Sequence, residues 1–395
     1  MIHPAYKRLL QKQERLLEIK NKRDTKSFGG GAFDRYVHPI LTREHVPLEW
    51  RYDLARESNP FFLERLGVNA VFNAGAIYHE GSHYLLARVE GVDRKSFFAL
   101  AQSHTGIDQF RFVHEPLKFD DIDLEETNVY DMRLIHHEDG YIYGMFCSEK
   151  RDPDASSDDT SSAVASIGIL RTKDLLHYER LPNLITPSPQ QRNVVLHPEF
   201  VQGKYLLYTR PQDGFIESGK GGGIAYGFVE KMEHPIISEE RLLQAKRYHT
   251  VYEMKNGLGP APIKTSEGWL HIAHGVRNTA NGLRYVLYLF MTDLSDPTRL
   301  TYMPGGYVLA PRGRERIGDV SNVLFANGVT VNEKREVFLY YASSDTRMHV
   351  ATSTVDRLID YCINTPQEVY RSTDSVNQRL ELIRKNQEFM KDRRK

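Results

Sequence analysis

Between about residues 68 and 350 one pattern returns five times: a strand-like run, a polar turn and a second alternating run. The units are Ala74–Tyr78 with Tyr84–Arg88 around Glu80-Gly81, and Asp131–Ile135 with Tyr141–Phe146 around Asp139-Gly140. Glu199–Val201 with Tyr205–Thr209 follows around Gln202-Gly203, then Pro262–Lys264 with Trp269–His274 around Glu267-Gly268. The fifth is Ser321–Ala326 with Val337–Ala342, around the looser Asn332-Glu333-Lys334 turn. The turns lie roughly sixty to sixty-six residues apart, room for a four-stranded sheet per unit. Antiparallel hairpins at so long and even a period predict an all-β fold, a five-bladed β-propeller. A β-sandwich is the alternative, but its strands would be spaced more closely and less evenly.

Flanking segments change character. Leu9, Leu10, Leu16, Leu17 and Ile19 recur at helical spacing and predict a helix over 5–22. Gly29-Gly30-Gly31 reads as a linker, because no Lys-Ser/Thr follows to make a phosphate cradle. Helices are also predicted over Val355–Tyr361 and over 372–392, the latter with Val376, Leu380, Ile383 and Phe389 on one face. The expected division is therefore an N-terminal helical extension (1–30), a propeller (31–353) and C-terminal helices (354–395). Terminal helices can brace the propeller or join two copies into a homo-oligomer, and both stay open.

Composition narrows the partners. Lys plus Arg equals Asp plus Glu at 52 each, so no net field draws nucleic acid or an acidic membrane. Two cysteines, Cys147 and Cys362, give neither a disulfide framework nor a zinc ligand set. With no membrane-length apolar run and no signal-peptide core at the start, the expectation is a cytoplasmic protein.

In a hairpin the start of the first strand and the end of the second share an edge. In a ring of hairpins those edges form one rim, bringing together Asn73, Arg88, Asp131, the Glu149-Lys150-Arg151 cluster, His197, Arg210, Asp213, His274, Arg277, Asp319 and Asp345. Asp131 stands out because it interrupts the apolar strand Val129-Tyr130-Asp131-Met132-Arg133-Leu134, where an ionised carboxylate needs a partner or a task. Pairing with Arg133 or another arginine is the plain reading. Yet Arg88, Arg94, Arg192 and Arg210 exceed what a neutral sugar requires, and guanidinium matches phosphate oxygens. One acid, several arginines and a histidine suit glycosyl transfer to inorganic phosphate, whose oxygen is already anionic and needs no second carboxylate as base.

Other motifs carry less. His136-His137-Glu138 lacks zinc-binding spacing and is expected to face solvent. Gly219-Lys220-Gly221-Gly222-Gly223 reads as a flexible connection, and no G-x-S-x-G elbow supports serine chemistry. The acidic, serine-rich stretch from Asp152 to Ser162 is either a lid or a solvated excursion.

Several long runs resemble glycoside hydrolase family 130. They are Asn73-Ala74-Gly75-Ala76, Ala87-Arg88-Val89-Glu90-Gly91 with Asp93-Arg94-Lys95-Ser96, and Asn128-Val129-Tyr130-Asp131-Met132-Arg133. Gln191-Arg192-Asn193-Val194-Val195-Leu196-His197-Pro198, Tyr208-Thr209-Arg210-Pro211-Gln212-Asp213, His274-Gly275-Val276-Arg277-Asn278 and Ser344-Asp345-Thr346-Arg347 continue the likeness. The resemblance runs from about residue 40 to the C-terminal helix and implies a five-bladed propeller. It implies reversible, inverting phosphorolysis of β-1,4-mannosyl-glucose to α-D-mannose 1-phosphate and glucose. Phosphate would be a co-substrate, with no cofactor and no metal. Asp131 then matches the general acid, whose proton reaches the glycosidic oxygen by way of the mannose 3-hydroxyl. Arg192, Arg210, His274 and Tyr285 match phosphate-associated positions, and Asn73, Arg88, Arg94, Asp213, Lys264 and Asp345 the mannose side. Lys150-Arg151 stands where Arg is expected after Cys147-Ser148-Glu149, which bears on the glucose side. A longer β-1,4-mannooligosaccharide as substrate, hydrolysis of β-mannosides, and sugar binding without catalysis are the alternatives.

Overall fold

The computed structural model describes residues 1–25, 31–119, 125–215, 219–280 and 282–392. Gly29 and Gly30 of the expected linker lie outside them. Five antiparallel sheets surround an axis. Blade 1 holds Val68–His79, Ser82–Gly91, Ser96–Ser103 and Arg111–Phe112; blade 2 holds Glu126–His136, Ile142–Arg151, Ala163–Thr172 and Glu179–Leu184. Blade 3 is built from Val195–Val201, Lys204–Thr209, Ile224–Val229 and Arg241–Gln244. In blade 4 the innermost position is divided between Lys255–Leu258 and Ile263–Thr265, both pairing with Gly268–Thr279, followed by Gly282–Thr292 and Leu300–Tyr302. Blade 5 runs Leu324–Val331, Glu336–Ser343, Arg347–Thr354, and takes its outermost strand, Asp34–Arg35, from the other end of the chain.

The turns between first and second strands form as read, because glycine supplies the left-handed conformation there. Gly81 has φ 76°, Gly140 87° and Gly203 76°. Both faces of each blade are buried, so neighbouring residues of one strand serve opposite seams. Leu206 packs with Tyr252, Tyr288 and Phe290 between blades 3 and 4, whereas Leu207 packs with Tyr143, Met145 and Ile167 between blades 2 and 3. That explains the nearly unbroken apolar run Tyr205-Leu206-Leu207-Tyr208. Each such leucine stabilises the fold by about 1.5–3 kcal/mol. The remaining seams are filled the same way: Leu86 and Phe98 against Met132 and Phe146, Leu270 and Leu289 against Leu339 and Tyr341, and Tyr340 and Val350 against Val71 and Leu85.

Helix α1 is Pro4–Leu17, shorter than the predicted 5–22. Asn21 explains the early end: its amide donates to Asp108 and its side chain to the carbonyls of His38 and Ile107, an arrangement outside the helix. Helix α2 (Val355–Asn364), capped by the Thr354 side chain, lays Val355, Leu358 and Cys362 on the seam of blades 4 and 5. Helix α3 (Ser372–Asp392) follows. No described helix is long and apolar enough to cross a membrane.

Candidate active site

The inner strands place their polar residues by breaking register. A bulge between Phe72 and Gly75 leaves Asn73 at φ 49°, and one between Tyr130 and Arg133 leaves Asp131 at φ 62°. Both side chains are thereby turned out of the apolar alternation and onto the axis. Asn and Asp tolerate this left-handed backbone better than other L residues. Asp345 reaches the same space from a tight turn, with φ 50°.

These residues line a cavity of about 440 Å3, with Arg88, Tyr130, Arg192, Arg210, Lys255, Tyr285, Asp319 and Phe325 among its walls. A larger groove of about 1150 Å3 lies beneath α3, but its charged groups are strung along an exposed helix and do not converge. Within the axial cavity charge is divided. Asp131 Oδ1 accepts from Asn73 Nδ2 at 2.8 Å and stands 3.4 Å from Arg88 Nη1. Arg133 does not pair with that carboxylate. It donates to the backbone carbonyls of Asp131 (3.0 Å) and Gly259 (2.9 Å), and burial lowers its guanidinium to about 10. Asp345 is pushed up to about 7, first by burial and then by repulsion from Asp131, with Arg88 opposing.

Blades 3 and 4 supply cations. Arg210 donates through Nε to Gln212 at 3.0 Å and through Nη1 to His274 Nε2 at 2.9 Å. Burial, with Arg192 nearby, lowers the Arg210 guanidinium to about 10. His274 is held well below its usual range by burial and then by Arg210, Arg133 and Lys255, so its ring is neutral. With Nε2 accepting, the ring hydrogen belongs on Nδ1. Arg192 donates to the Phe215 carbonyl at 3.0 Å and lies 4.2 Å from that ring's centroid. Tyr285 is stacked on His274 at 6.1 Å, its phenol pushed up by burial. Desolvated guanidiniums in such a group are stabilised by an anion, and phosphate meets their geometry.

The structure therefore gathers Asn73, Arg88, Asp131, Arg192, Arg210, Tyr285, Asp319 and Asp345 around one cavity, with His274 behind Arg210. It does not bring Lys264 there. The register of Ile263–Thr265 puts Lys264 opposite Trp269 at the far end of blade 4, where it pairs with Glu199 at 2.6 Å. Lys255, in the other half of the divided inner strand, occupies the cavity instead. Arg94 is exposed at a turn, and Asp213 is exposed and accepts from the Lys220 amide at 2.9 Å; neither lines the cavity. His197 leaves the expected rim and is buried against Trp269, ring centroids 4.2 Å apart. Arg277 and the Glu149-Lys150-Arg151 cluster are outside the cavity wall as well. His137, expected in solvent, is buried against Phe200 and Tyr205. The acidic stretch folds on itself: Asp159 accepts from Ser161 and Ser162, and Arg151 donates to the Ser156 and Asp159 carbonyls. Among the described residues no His, Cys, Asp and Glu group could hold a metal.

Fold and cavity together define a propeller enzyme whose axial site takes a small polar ligand alongside an anion. The chain belongs to glycoside hydrolase family 130: a family model described as beta-1,4-mannooligosaccharide phosphorylase matches residues 42–364. A 4-O-beta-D-mannosyl-D-glucose phosphorylase of Bacteroides fragilis is 57% identical over 384 residues, covering 97% of this chain and 98% of that one. A beta-1,4-mannooligosaccharide phosphorylase of Ruminococcus albus is 28% identical, over 79% of this chain and 90% of its own length. The fold is shared with a solved beta-1,2-mannobiose phosphorylase from Listeria innocua, with a TM-score of 0.66 and 20% identity over 87% of this chain and 99% of that one.

Proposed function

We propose that the protein is an inverting phosphorylase converting 4-O-β-D-mannosyl-D-glucose and phosphate, reversibly, into α-D-mannose 1-phosphate and D-glucose. One observation carries the reaction type: a carboxyl held by Asn73 and Arg88 shares a sugar-sized cavity with the cationic group of Arg192, Arg210 and Lys255. The choice of disaccharide is supported by the 57% identity to the Bacteroides fragilis enzyme.

In this reading Asn73, Arg88 and Asp345 hold the mannosyl unit, while Arg192, Arg210, Lys255, Tyr285 and neutral His274 hold phosphate on the opposite face. A phosphate oxygen attacks C1 as the bond from C1 to the glucose oxygen breaks. Asp131 gives its proton to the mannose 3-hydroxyl, which passes its own to that leaving oxygen, and Asp131 regains one from solvent or the phosphate monoester. Inversion turns the β-mannoside into the α-phosphate. Preorganised cations stabilise the charge that gathers around the attacking phosphate and the oxocarbenium-like sugar. No metal or organic cofactor takes part in these steps. Self-association through α3, and a cytoplasmic setting suited to the buried, unpaired Cys147 and Cys362, complete the proposal.

Product analysis tests it. Mannosyl-glucose with phosphate should give mannose 1-phosphate and glucose, and should persist in phosphate-free buffer. Free mannose as the main product would overturn phosphorolysis, and preference for mannose over glucose as acceptor would overturn the disaccharide. Asp131→Asn should lower kcat by about 10²–10⁴-fold with the melting temperature retained; near-normal turnover removes Asp131 as the acid.

A further inference from the structure

Arg88 approaches Asp131 with one nitrogen only, Nη1 at 3.4 Å. The rest of the guanidinium is fixed from the other side. Nε donates to Ser96 Oγ at 2.9 Å and Nη2 to Glu90 Oε2 at 2.7 Å, while the Phe72 and Tyr130 rings hold its plane at 4.3 and 4.8 Å. Glu90 lies two residues beyond Arg88 in one strand, so their side chains share a face. Its second oxygen accepts from Asn69 Nδ2 at 3.1 Å, and the same nitrogen donates to Asp319 at 2.6 Å. The Arg88 and Glu90 side chains are only 14% and 17% exposed, so water screens their pairing weakly.

We propose that Glu90 is a positioning residue for the general acid: it orients Arg88 and balances its charge, so that Arg88 presents a single nitrogen to Asp131. The inference rests on Asp131 acting as the acid. A lone arginine beside a carboxyl favours the ionised form, which cannot donate. A carboxylate behind that arginine offsets the pull. Besides Arg88, the ionisable groups facing Asp131 are Arg133, Cys147, Arg192, Arg210, Tyr285 and Asp345. Glu90→Gln replaces none of them, and the only one it acts on directly is Asp345, whose carboxyl loses one of the charges that push it up. It keeps the shape of the site and removes one charge.

The test measures kcat and KM for mannosyl-glucose phosphorolysis from pH 5 to 9 in the wild type, Glu90→Gln and Glu90→Asp. With the balance removed, the protonated acid is lost at lower pH. The alkaline limb of kcat for Glu90→Gln should therefore move toward acid by about one pH unit. Turnover at pH 7.5 should fall about tenfold, with KM for phosphate within about twofold of wild type. Glu90→Asp, which keeps the charge one methylene further back, should lie between the two. An unmoved alkaline limb in both variants, with or without a uniform loss of rate, overturns the proposal. Where Glu90→Gln melts below the assay temperature, Glu90→Asp decides by the same criterion. Asp131→Asn separates the two levels: an active Asp131→Asn defeats the acid assignment, whereas an inactive one beside an unmoved Glu90→Gln profile defeats Glu90 alone.

Discussion

Asp345 shows how burial and neighbouring carboxylates act on one group. Its carboxyl is pushed up to about 7 in the fold, against 3.8 ordinarily, because burial first and then repulsion between it and the neighbouring Asp131 carboxyl disfavour its anion. The folded state therefore keeps this proton from about pH 4 to 7 while the unfolded chain has released it. Stability is lost as pH rises through that window and is level above it. Asp345→Asn removes a penalty present only at the alkaline end. It should stabilise the protein by about 2 kcal/mol at pH 8, allowing for solvent in the open cavity, and by little at pH 4.5. Paired thermal melts at the two values check this; an equal offset at both would show that Asp345 does not carry the proton change. Ligation by a neutral sugar suits such a residue, since it can donate a hydrogen bond while protonated.

At the scale of elements, the inner strands come together around the axis because small residues let backbone meet backbone. A Cβ at Gly328 in blade 5 would stand 2.5 Å from Ala76 Cβ and 2.7 Å from the Ala74 carbonyl in blade 1. One at Gly75 would stand 2.9 Å from the Leu134 amide in blade 2. These neighbours are strands, not flexible side-chain ends, and cannot yield cheaply. Gly328→Val should destabilise by about 2–3 kcal/mol and lower activity with it, since Asn73 sits on the strand that must move. A urea midpoint equal to that of wild type would contradict this close approach. The same strands explain what could be read in advance. Hairpin turns were legible because Gly81, Gly140 and Gly203 announce themselves locally. Asp131 was legible because it violates an apolar run. Lys255 was not: Lys255-Asn256-Gly257-Leu258 has little strand character, and only its pairing with Ala273–Val276 makes it one. Its signal was a lone lysine leading into the uncharged stretch 256–263. Lys264 and His197 were misplaced because the first strand of a blade runs inward and away from the cavity mouth, so a few residues carry a side chain from one end to the other. Glu90 was hidden for another reason. Its role depends on Arg88, and a motif does not tell a ligand from the residue that holds it.

The whole molecule is a ring closed by its own N-terminal segment. Asp34 and Arg35 pair with Thr352 and Ala351, and Arg35 forms a buried ion pair with Glu315 at 2.5 Å while donating to the Ala310 carbonyl. Helices α1 and α2 brace this ring: α1 through Glu14, with Glu18 just past its end, to Arg111, and α2 by covering a seam. Helix α3 does neither. None of its residues with a described side chain is buried, yet Val376, Leu380, Ile383 and Met390 recur at intervals of four, three and seven residues, with 43–54% of each exposed. The row from Val376 to Met390 is about 21 Å long, and with Leu382 and Phe389 exposed beside it this is apolar surface of the kind a helix-pairing seam buries. On the self-association proposed above, the occupant would be a second copy of α3, packed about a two-fold axis so that each helix covers the other. Sedimentation should then give a wild-type mass of at least twice 45.6 kDa. Leu380→Glu with Ile383→Glu should sediment as a monomer and retain phosphorolysis, because the cavity is built within one ring. A monomeric wild type, or a double variant of unchanged mass, would show that α3 does not join copies.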